Sequence, residues 1–258
     1  MNNYTRAKML NKEKTVGTFF QLGTANGAES LGYSGLDYII IDTEHAPFSE
    51  ESSIEFIRAA KLSKLSPFVR IKDITRPSVL RMLDIGAEGI VVPCVESVDD
   101  VKALVKYGKY APLGERGFFY GRAAGYGFED FTSPLEDYFK KCNSETMIIP
   151  QCETLGCLEN IEEIMSIDGV DAIFVGPYDL SIALRKPGQF NAKDFTEALT
   201  RIINACKKTN KPAMIYANDV NSALNYFNMG FDSVAVGTDI SVLTNSYRNI
   251  VNSVKTNN

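Results

Sequence analysis

Reactive side chains stand directly after apolar runs at four places in the sequence. These places are Asp42-Thr43-Glu44-His45, Arg70-Ile71, Gln151-Cys152-Glu153 and Gly176-Pro177-Tyr178-Asp179. If the apolar runs are parallel strands, their carboxyl ends meet at one rim, where side chains can converge. We therefore interpret the acids, imidazole, guanidinium and amide of these segments as one candidate active site.

His45 is the only histidine of the chain. A lone histidine is by default a surface residue or a satisfied core residue. This one stands just past a strand end, behind two acids and before Ala46-Pro47. Imidazole titrates near neutral pH, which suits a general base. We therefore predict a catalytic role for His45.

Arg70 follows Phe68-Val69 in an apolar run, so we expect its guanidinium in the barrel mouth. One interpretation is an arginine held in a salt bridge, because a buried guanidinium must be paired. The other is an electrophile that clamps a developing oxyanion. We favour the second interpretation, and the first stays open.

Glu153 and Asp179 end neighbouring strands, so their carboxylates can approach each other. Two close carboxylates repel unless a cation lies between them or one is protonated. A hard divalent ion fits, with water and substrate completing its coordination, which suits Mg²⁺ or Mn²⁺. A softer metal could take His45 as a third ligand. The alternative is two ordinary acids at the rim.

Segment 176–181 leads from one of these strand ends into a helical pattern. Backbone N–H groups at the start of a helix bind carboxylates and phosphates. This signal is weak alone and gains weight beside a metal site.

Eight short apolar runs alternate with helical patterns along the chain. Most runs are continuously apolar, as expected for strands buried on both faces of a parallel sheet. The pattern predicts an α/β fold of the (β/α)8 TIM-barrel type, with a doubly wound open sheet as the alternative. The predicted strands are 16–22, 38–42, 67–71, 89–93, 147–153, 172–176, 212–216 and 233–237, and the predicted helices include 49–62, 76–84, 98–107, 158–165, 192–207 and 220–229.

The interval between Gly89 and Met147 is the longest between predicted strands. Its excess residues include segment 112–127, which is rich in glycine and arginine. An insertion of this composition on a barrel is usually a working loop. We therefore expect segment 112–127 to lie near the site.

Composition excludes several classes of function. The chain has 258 residues and a net charge of −5, which argues against a role on nucleic acid or on an acidic membrane. Its length is typical of one barrel, so we predict a single domain over residues 1–258.

No apolar run is long enough to span a membrane, and residues 1–15 lack the apolar core of a secretory signal. Because the five cysteines form no C-x-x-C pair, we expect reduced thiols in a cytoplasmic protein.

The final segment, 241–258, has the pattern of an amphipathic helix. Val242, Leu243, Tyr247, Ile250 and Val251 fall on one side of it. This apolar side needs a surface to cover it, either on the first strand–helix units of the same barrel or on a second copy.

The strand-end residues resemble those of the HpcH/HpaI aldolase family, the metal-dependent class II pyruvate aldolases that act on 4-hydroxy-2-oxo acids. The similarity runs from near Gly17 to segment 234–237. Its most specific parts are segments 41–47, 151–154 and 174–181, and segments 114–117 and 122–123 resemble the loop of the family. The occurrence of these parts in the same order is specific, whereas any one alone is not.

The resemblance implies a fold, a reaction and a set of ligands. The fold is a (β/α)8 barrel with a last helix that partners exchange, in hexamers built as trimers of dimers. The reaction is the reversible cleavage of a 4-hydroxy-2-oxo acid into pyruvate and an aldehyde, with Mg, Mn or Co as the divalent ion. By position, Glu153 and Asp179 would hold the metal, and Gln151 with the backbone of Tyr178 and Asp179 would hold pyruvate.

The resemblance also implies the groups that act on the substrate. His45 would be the general base, and Arg70 would stabilise the charge that develops. Asp84 would pair with His45 and raise its basicity, although nothing in the local pattern around Asp84 indicates this. Thr43 replaces a glycine common in the family, and segments 48–50 and 118–120 are bulkier than usual, so the aldehyde is not specified.

Other functions remain open from the sequence. A Schiff-base aldolase needs a lysine inside a strand, and the predicted strands contain none. An acyl-CoA lyase on the same scaffold is possible, although Asp42-Thr43-Glu44-His45 fits the pyruvate aldolases better. A non-catalytic barrel that binds a metabolite is the alternative from another class. The presence of every proposed catalytic group argues against it.

Overall fold

The computed structural model describes residues 2–256 and contains a closed barrel of eight parallel strands in chain order. β8 pairs with β1, so the sheet has no edge. This confirms the (β/α)8 barrel and excludes the open sheet. The strands are β1 (Thr15–Phe20), β2 (Tyr38–Asp42), β3 (Ser66–Arg70), β4 (Gly89–Val92), β5 (Met147–Cys152), β6 (Ile173–Val175), β7 (Ala213–Ala217) and β8 (Ser233–Thr238).

Helices surround the barrel. Two short 3₁₀ turns, Arg122–Gly127 and Asp130–Thr132, precede α6. The α-helices are α1 (Tyr4–Leu10), α2 (Ala25–Gly32), α3 (Glu50–Leu62), α4 (Arg76–Asp84), α5 (Val98–Gly108), α6 (Leu135–Glu145), α7 (Leu155–Glu159), α8 (Ile161–Ser166), α9 (Pro177–Ala183), α10 (Lys193–Thr209), α11 (Val220–Met229) and α12 (Asp239–Thr256).

The continuously apolar strands are buried on both faces. On β2, Tyr38 and Ile40 belong to the core inside the barrel, whereas Ile39 and Ile41 pack in the outer core beneath the helices. Residues two apart on a strand share a face. Asp42 therefore follows Tyr38 and Ile40 into the barrel interior, at the carboxyl end of β2.

The register of the barrel brings polar residues of neighbouring strands together at this end. Asp42 lies directly beside Arg70 on β3, and both are the last residues of their strands. Gln151 of β5 is in register with Phe174 of β6. The candidate site is thus built on strand ends, which hold side chains more rigidly than free loops do.

Side-chain caps fix where the helices after the strands begin. Ser49, Thr75, Ser97, Thr154 and Asp219 each accept a hydrogen bond from a backbone N–H in the first turn of the next helix. Such caps satisfy amide groups that have no partner within the helix. They keep the connections at the carboxyl end of the barrel short and ordered.

Segment 112–127 does not lie near the carboxyl ends of the strands, contrary to our expectation. α5 carries the chain back along the barrel to Gly108 before this segment begins. Arg122 donates a hydrogen bond to the carbonyl oxygen of Ile85, 3.2 Å away, just after α4 ends and before β4 begins. The spacing between strands could not tell whether the extra residues come before or after the intervening helix.

α12 extends away from the barrel with its apolar side uncovered. The predicted stripe is exposed, since the relative accessibility of Val242, Tyr247 and Ile250 is 53%, 63% and 56%. The helix ends at Thr256, and the last two residues of the predicted segment 241–258 lie outside the described part of the chain. Within residues 2–256, no helix is long and apolar enough to span a membrane.

The other predicted helices differ only in detail. Segment 158–165 is divided at Asn160 between α7 and α8. α1, α2 and α6 were not predicted. Helical periodicity is hard to recognise in α2, because glycines interrupt its eight residues.

Candidate active site

A cavity of about 170 Å³ opens among the carboxyl ends of the strands. His45, Arg70, Gln151, Tyr178 and Asp179 line it, as the sequence predicts, together with the aromatic residues Phe19, Phe174 and Tyr216. A larger groove of about 470 Å³ lies between α8 and α10 on the outside of the barrel. We regard the smaller cavity as the site, because none of the predicted residues lines the larger groove.

Arg70 is clamped by carboxylates on one side. Its Nε and Nη2 donate to the two oxygens of Asp42 at 2.9 and 2.8 Å, and Nη1 lies 3.1 Å from Glu44 Oε2. The guanidinium also stacks over the Phe19 ring, 4.7 Å from its centroid. The salt-bridge interpretation of Arg70 is therefore correct, and the same bonds fix the plane of a guanidinium that borders the cavity.

The electrostatics of Asp42 reflect this clamp. Burial raises the pKa of the Asp42 carboxyl, but the hydrogen bonds and charge of Arg70, with a hydrogen bond from Gln21, outweigh burial. The net pKa lies below its ordinary value. Asp42 is thus ionised at neutral pH and holds Arg70 as a charged partner.

His45 projects from the turn after β2. Its backbone N–H and that of Glu44 both point at Asp42 Oδ1, at 3.3 and 3.2 Å. The side chain of His45 is 66% exposed, and its Nε2 lies 3.7 Å from Glu44 Oε2. The imidazole is therefore accessible to a substrate at the cavity mouth.

Glu153 is buried and surrounded by donors. The backbone N–H of Cys94 donates to its Oε1 at 2.8 Å, and Gln151 Nε2 donates to its Oε2. Burial raises the pKa of Glu153, these two hydrogen bonds lower it, and the charges of Asp179 and Glu44 raise it further. The net shift is upward, so the ionised form is disfavoured unless a cation approaches.

Gly176 keeps the space beside Glu153 open. A Cβ atom at this position would lie 2.6 Å from Glu153 Oε2 and 3.0 Å from Gln151 Nε2. Gly176 precedes α9, where Tyr178 and Asp179 occupy the first turn and no side chain caps the helix. The first amide groups of α9 therefore have no side-chain acceptor of their own.

The oxygen atoms around Glu153 suit a divalent metal ion, but the described residues do not form a complete metal site. Gln151 Oε1 is buried without a hydrogen-bond partner, next to the Glu153 carboxylate and the opening left by Gly176. An oxygen-rich corner of this kind suits a hard cation. Within residues 2–256, however, no three His, Cys, Asp or Glu side chains gather as a ready metal site. The charge of Asp179 is nevertheless felt at Glu153, so these two carboxylates are near each other.

Asp84 is the one predicted residue that the chain does not bring to the site. It ends α4, and Arg116 Nη2 binds its Oδ1 at 2.8 Å. α4 starts after β3 and runs back along the barrel, so Asp84 lies towards the amino ends of the strands. Within one chain, Asp84 therefore pairs with Arg116, and the expected pair with His45 does not form.

Sequence reasoning missed the partners of the reactive groups. Asp42 was recognised as a strand end but not as the clamp of Arg70, and Gln21 and Cys94 were not considered. The signal for Asp42 was present, because it and Arg70 are the last inward-facing positions of adjacent strands. Cys94 has a positive φ of 53°, and no motif indicates that its N–H faces Glu153.

A family model connects this geometry with known proteins. The model of the HpcH/HpaI aldolase/citrate lyase family matches residues 15–246. The match therefore includes all eight strands and every predicted site residue.

Individual relatives match almost the whole chain. The 5-keto-4-deoxy-D-glucarate aldolase of Enterobacter sp. (strain 638) is 32% identical over 253 residues, covering 98% of this chain and 97% of that protein. The hydroxypyruvate/pyruvate aldolase of Roseobacter denitrificans is 32% identical over 249 residues, with 95% of both chains covered. The crystal structure of an HpcH/HpaI aldolase/citrate lyase family protein from Burkholderia cenocepacia J2315 superimposes with a TM-score of 0.90 at 30% identity, covering 98% of this chain and 100% of that one.

Proposed function

The chain belongs to the HpcH/HpaI aldolase/citrate lyase family, a family of carbon–carbon lyases, and on this premise we propose that it is a metal-dependent pyruvate aldolase. It reversibly cleaves a 4-hydroxy-2-oxo acid into pyruvate and an aldehyde. The observation that carries the proposal is the convergence of Arg70, Gln151 and Asp179 on one cavity, where Gln151 Oε1 lacks a partner and Gln151 Nε2 donates to the buried Glu153.

Glu153 and Asp179 hold the divalent ion in this proposal, and Mg, Mn or Co fits their oxygen ligands. The bound ion would act as a Lewis acid on the keto oxygen of the substrate. Gln151 and the first amides of α9, at Tyr178 and Asp179, hold the pyruvate portion. Its carboxylate and keto oxygen would be available to the ion as further oxygen ligands.

Arg70 and His45 perform the proton and charge chemistry. Breaking the C3–C4 bond leaves the enolate of pyruvate, and the fixed guanidinium of Arg70 offsets this negative charge where it develops. His45 removes the proton of the C4 hydroxyl, directly or through water. Because His45 is exposed at the mouth, it can reach a group that enters from solvent.

A panel of substrates tests the proposal directly. Purified protein with Mn²⁺ is incubated with 4-hydroxy-2-oxo acids of different chain length and terminal charge, and pyruvate release is followed. We expect pyruvate from at least one of them, and a new 4-hydroxy-2-oxo acid from pyruvate and the matching aldehyde. Release of pyruvate from none, with cleavage of a carbon–carbon bond in an acyl-CoA instead, would assign the chain to the other lyase reaction.

Replacing Arg70 by lysine should not be conservative, because lysine keeps the charge but loses the planar fork that binds Asp42. We expect kcat for cleavage to fall about 10²-fold, as for the loss of one oxyanion donor. Steady-state kinetics of Arg70→Lys measure this. An almost normal kcat with only a raised KM would show that Arg70 merely binds the substrate.

The proposal includes assembly into a homo-oligomer through α12. The chain leaves an apolar groove of about 710 Å³ open beside the start of this helix, lined by residues that include Val16, Leu31 and Leu36. The apolar side of α12 is exposed on the same molecule. An exchange of α12 helices between two copies accounts for both features, because the helix of each copy would cover the groove of the other, as the family resemblance implies.

Two copies also allow the pair between Asp84 and His45. Each residue is partly accessible, with side-chain exposures of 23% and 66%, and they lie at opposite ends of one barrel. Contact between them therefore requires Asp84 from another copy. A carboxylate beside the imidazole would raise its basicity.

Removal of α12 should change the assembly, since the exposed stripe would no longer be available to a neighbour. A chain that ends at Asp239 keeps all eight strands intact. We expect light scattering to give fewer subunits per oligomer for it than for the full chain. An unchanged number of subunits would rule out α12 as an assembly element.

A further inference from the structure

The first residue of α12 is a buried carboxylate that binds the chain just after β1. Asp239 is 4% exposed, and its Oδ1 and Oδ2 accept hydrogen bonds from the backbone N–H groups of Gln21 and Leu22, at 2.9 and 3.0 Å. Both amides follow the last residue of β1, where the backbone leaves the barrel. Asp239 therefore determines where Gln21 sits.

The side chain of Gln21 continues this connection into the candidate site. Its Nε2 donates to Asp42 Oδ2 at 2.9 Å, and the same oxygen accepts a hydrogen bond from Arg70 Nη2 at 2.8 Å. Hydrogen bonds thus run without a break from Asp239 through Gln21 and Asp42 to Arg70. The proposed chemistry uses only the last residue of this series.

We propose that Gln21 and Asp239 are positioning residues for Arg70. With two donors on Oδ2, the Asp42 carboxylate has one orientation, and the guanidinium that it grips has one plane. The backbone N–H groups of Glu44 and His45 hold only Oδ1, at 3.2 and 3.3 Å. Without Gln21, Oδ2 therefore keeps Arg70 as its one donor, and the carboxylate and the guanidinium can turn together about Oδ1 while keeping their mutual bonds. Because a displacement of about 1 Å at a reacting centre can cost 10²-fold in rate, such freedom lowers catalysis without removing any reactive group. This inference rests on the proposed function, in which Arg70 offsets the enolate charge.

Gln21→Leu tests the inference with little change in side-chain size. We expect kcat for cleavage of a 4-hydroxy-2-oxo acid to fall about tenfold, within the range that misplacement causes. KM and the affinity for Mn²⁺ should stay within about twofold, because Glu153 and Gln151 are untouched. Asp239→Ala should lower kcat by a similar factor, because it removes the carboxylate that accepts hydrogen bonds from the backbone N–H groups of Gln21 and Leu22.

A double variant separates positioning from direct substrate contact, which is needed because Gln21 also borders the cavity. If Gln21 acts through Arg70, adding Gln21→Leu to Arg70→Lys should cost almost nothing further in kcat. If Gln21 touches the substrate itself, the two losses should multiply. Multiplication of the losses would overturn the inference.

A matched control lies at the other end of the barrel. Asp232 accepts a hydrogen bond from the backbone N–H of Ala213 at 2.9 Å, where β7 begins, so Asp232→Ala removes a comparable bond away from the site. We expect lower thermal stability with wild-type kcat. Should Asp239→Ala fail to fold, Gln21→Leu decides alone, because it leaves the bonds between Asp239 and the backbone in place.

The inference can fail independently of the proposed function. Wild-type kcat in folded Gln21→Leu would overturn it while leaving the aldolase assignment intact. If the wild-type protein cleaves no 4-hydroxy-2-oxo acid, the proposed function fails, and crystal structures of Gln21→Leu and the wild type still decide the positioning. Identical orientations of Asp42 and Arg70 in the two structures would contradict the inference, and a rotated guanidinium would support it.

Discussion

Exhaustive removal of divalent ions should abolish aldol cleavage, and Mg²⁺, Mn²⁺ or Co²⁺ should restore it. The physical reason is the enolate charge, which Arg70 alone does not neutralise while it is bound to Asp42 and Glu44. A Lewis acid at this position contributes several kcal/mol, so we expect a loss of about 10³-fold or more. The measurement is cleavage by chelated protein before and after titration with each ion.

Glu153→Gln provides a readout that does not depend on activity. The amide should weaken Mn²⁺ binding in a direct titration, because the buried carboxylate is lost. Glu96→Gln is the matched control, since Glu96 is an exposed acid whose charge is also felt at Cys94, and it does not line the cavity. Full activity of metal-free protein, or a covalent adduct trapped by borohydride, would contradict the metal-dependent mechanism.

His45→Ala should lower cleavage by about 10²- to 10⁴-fold, the range for loss of a general base. No other imidazole can substitute, because the chain has one histidine. Affinity for Mn²⁺ and for pyruvate should change little, since Glu153, Asp179 and Gln151 carry those functions in the proposal. Steady-state kinetics measure the loss of cleavage in His45→Ala. Titration of the Mn²⁺-bound variant with pyruvate measures the retained affinity.

The pH dependence of the variant distinguishes the base from its alternatives. If His45 takes the hydroxyl proton, the neutral limb of the pH–rate profile should disappear in His45→Ala. A variant that keeps wild-type cleavage and the wild-type profile would mean that a hydroxide, not His45, is the base. This alternative is worth measuring because 66% of the His45 side chain is exposed, so water can reach the cavity mouth.

The barrel could be predicted from the sequence because its strands are buried on both faces. Continuous apolar runs mark such strands directly, and the segment 38–42 coincides with β2 (Tyr38–Asp42). The polar residue that ends each run then identifies the rim. His45, Arg70, Gln151 and Asp179 were located in this way, without any knowledge of three-dimensional contacts.

Interactions between elements could not be predicted in the same way. Asp84 is bound to Arg116, which lies on a segment far along the chain, and no local pattern encodes that contact. The position of segment 112–127 depends on where α5 ends, and strand spacing does not contain this information. The hydrogen bond between Gln21 and Asp42 likewise depends on the pairing of β1 with β2, which places Phe20 beside Ile41.

The exchange of the pyruvate methyl protons with deuterium tests the central claim most directly, because it requires enolisation at this site but no knowledge of the natural aldehyde. In D₂O with Mg²⁺, proton NMR should show the methyl signal of pyruvate disappearing faster with protein than without it. Chelation, Glu153→Gln or Arg70→Lys should each suppress this acceleration, while Glu96→Gln should not. Absence of exchange in folded protein that binds both Mg²⁺ and pyruvate, or exchange that persists after complete chelation, would contradict a metal-dependent pyruvate aldolase.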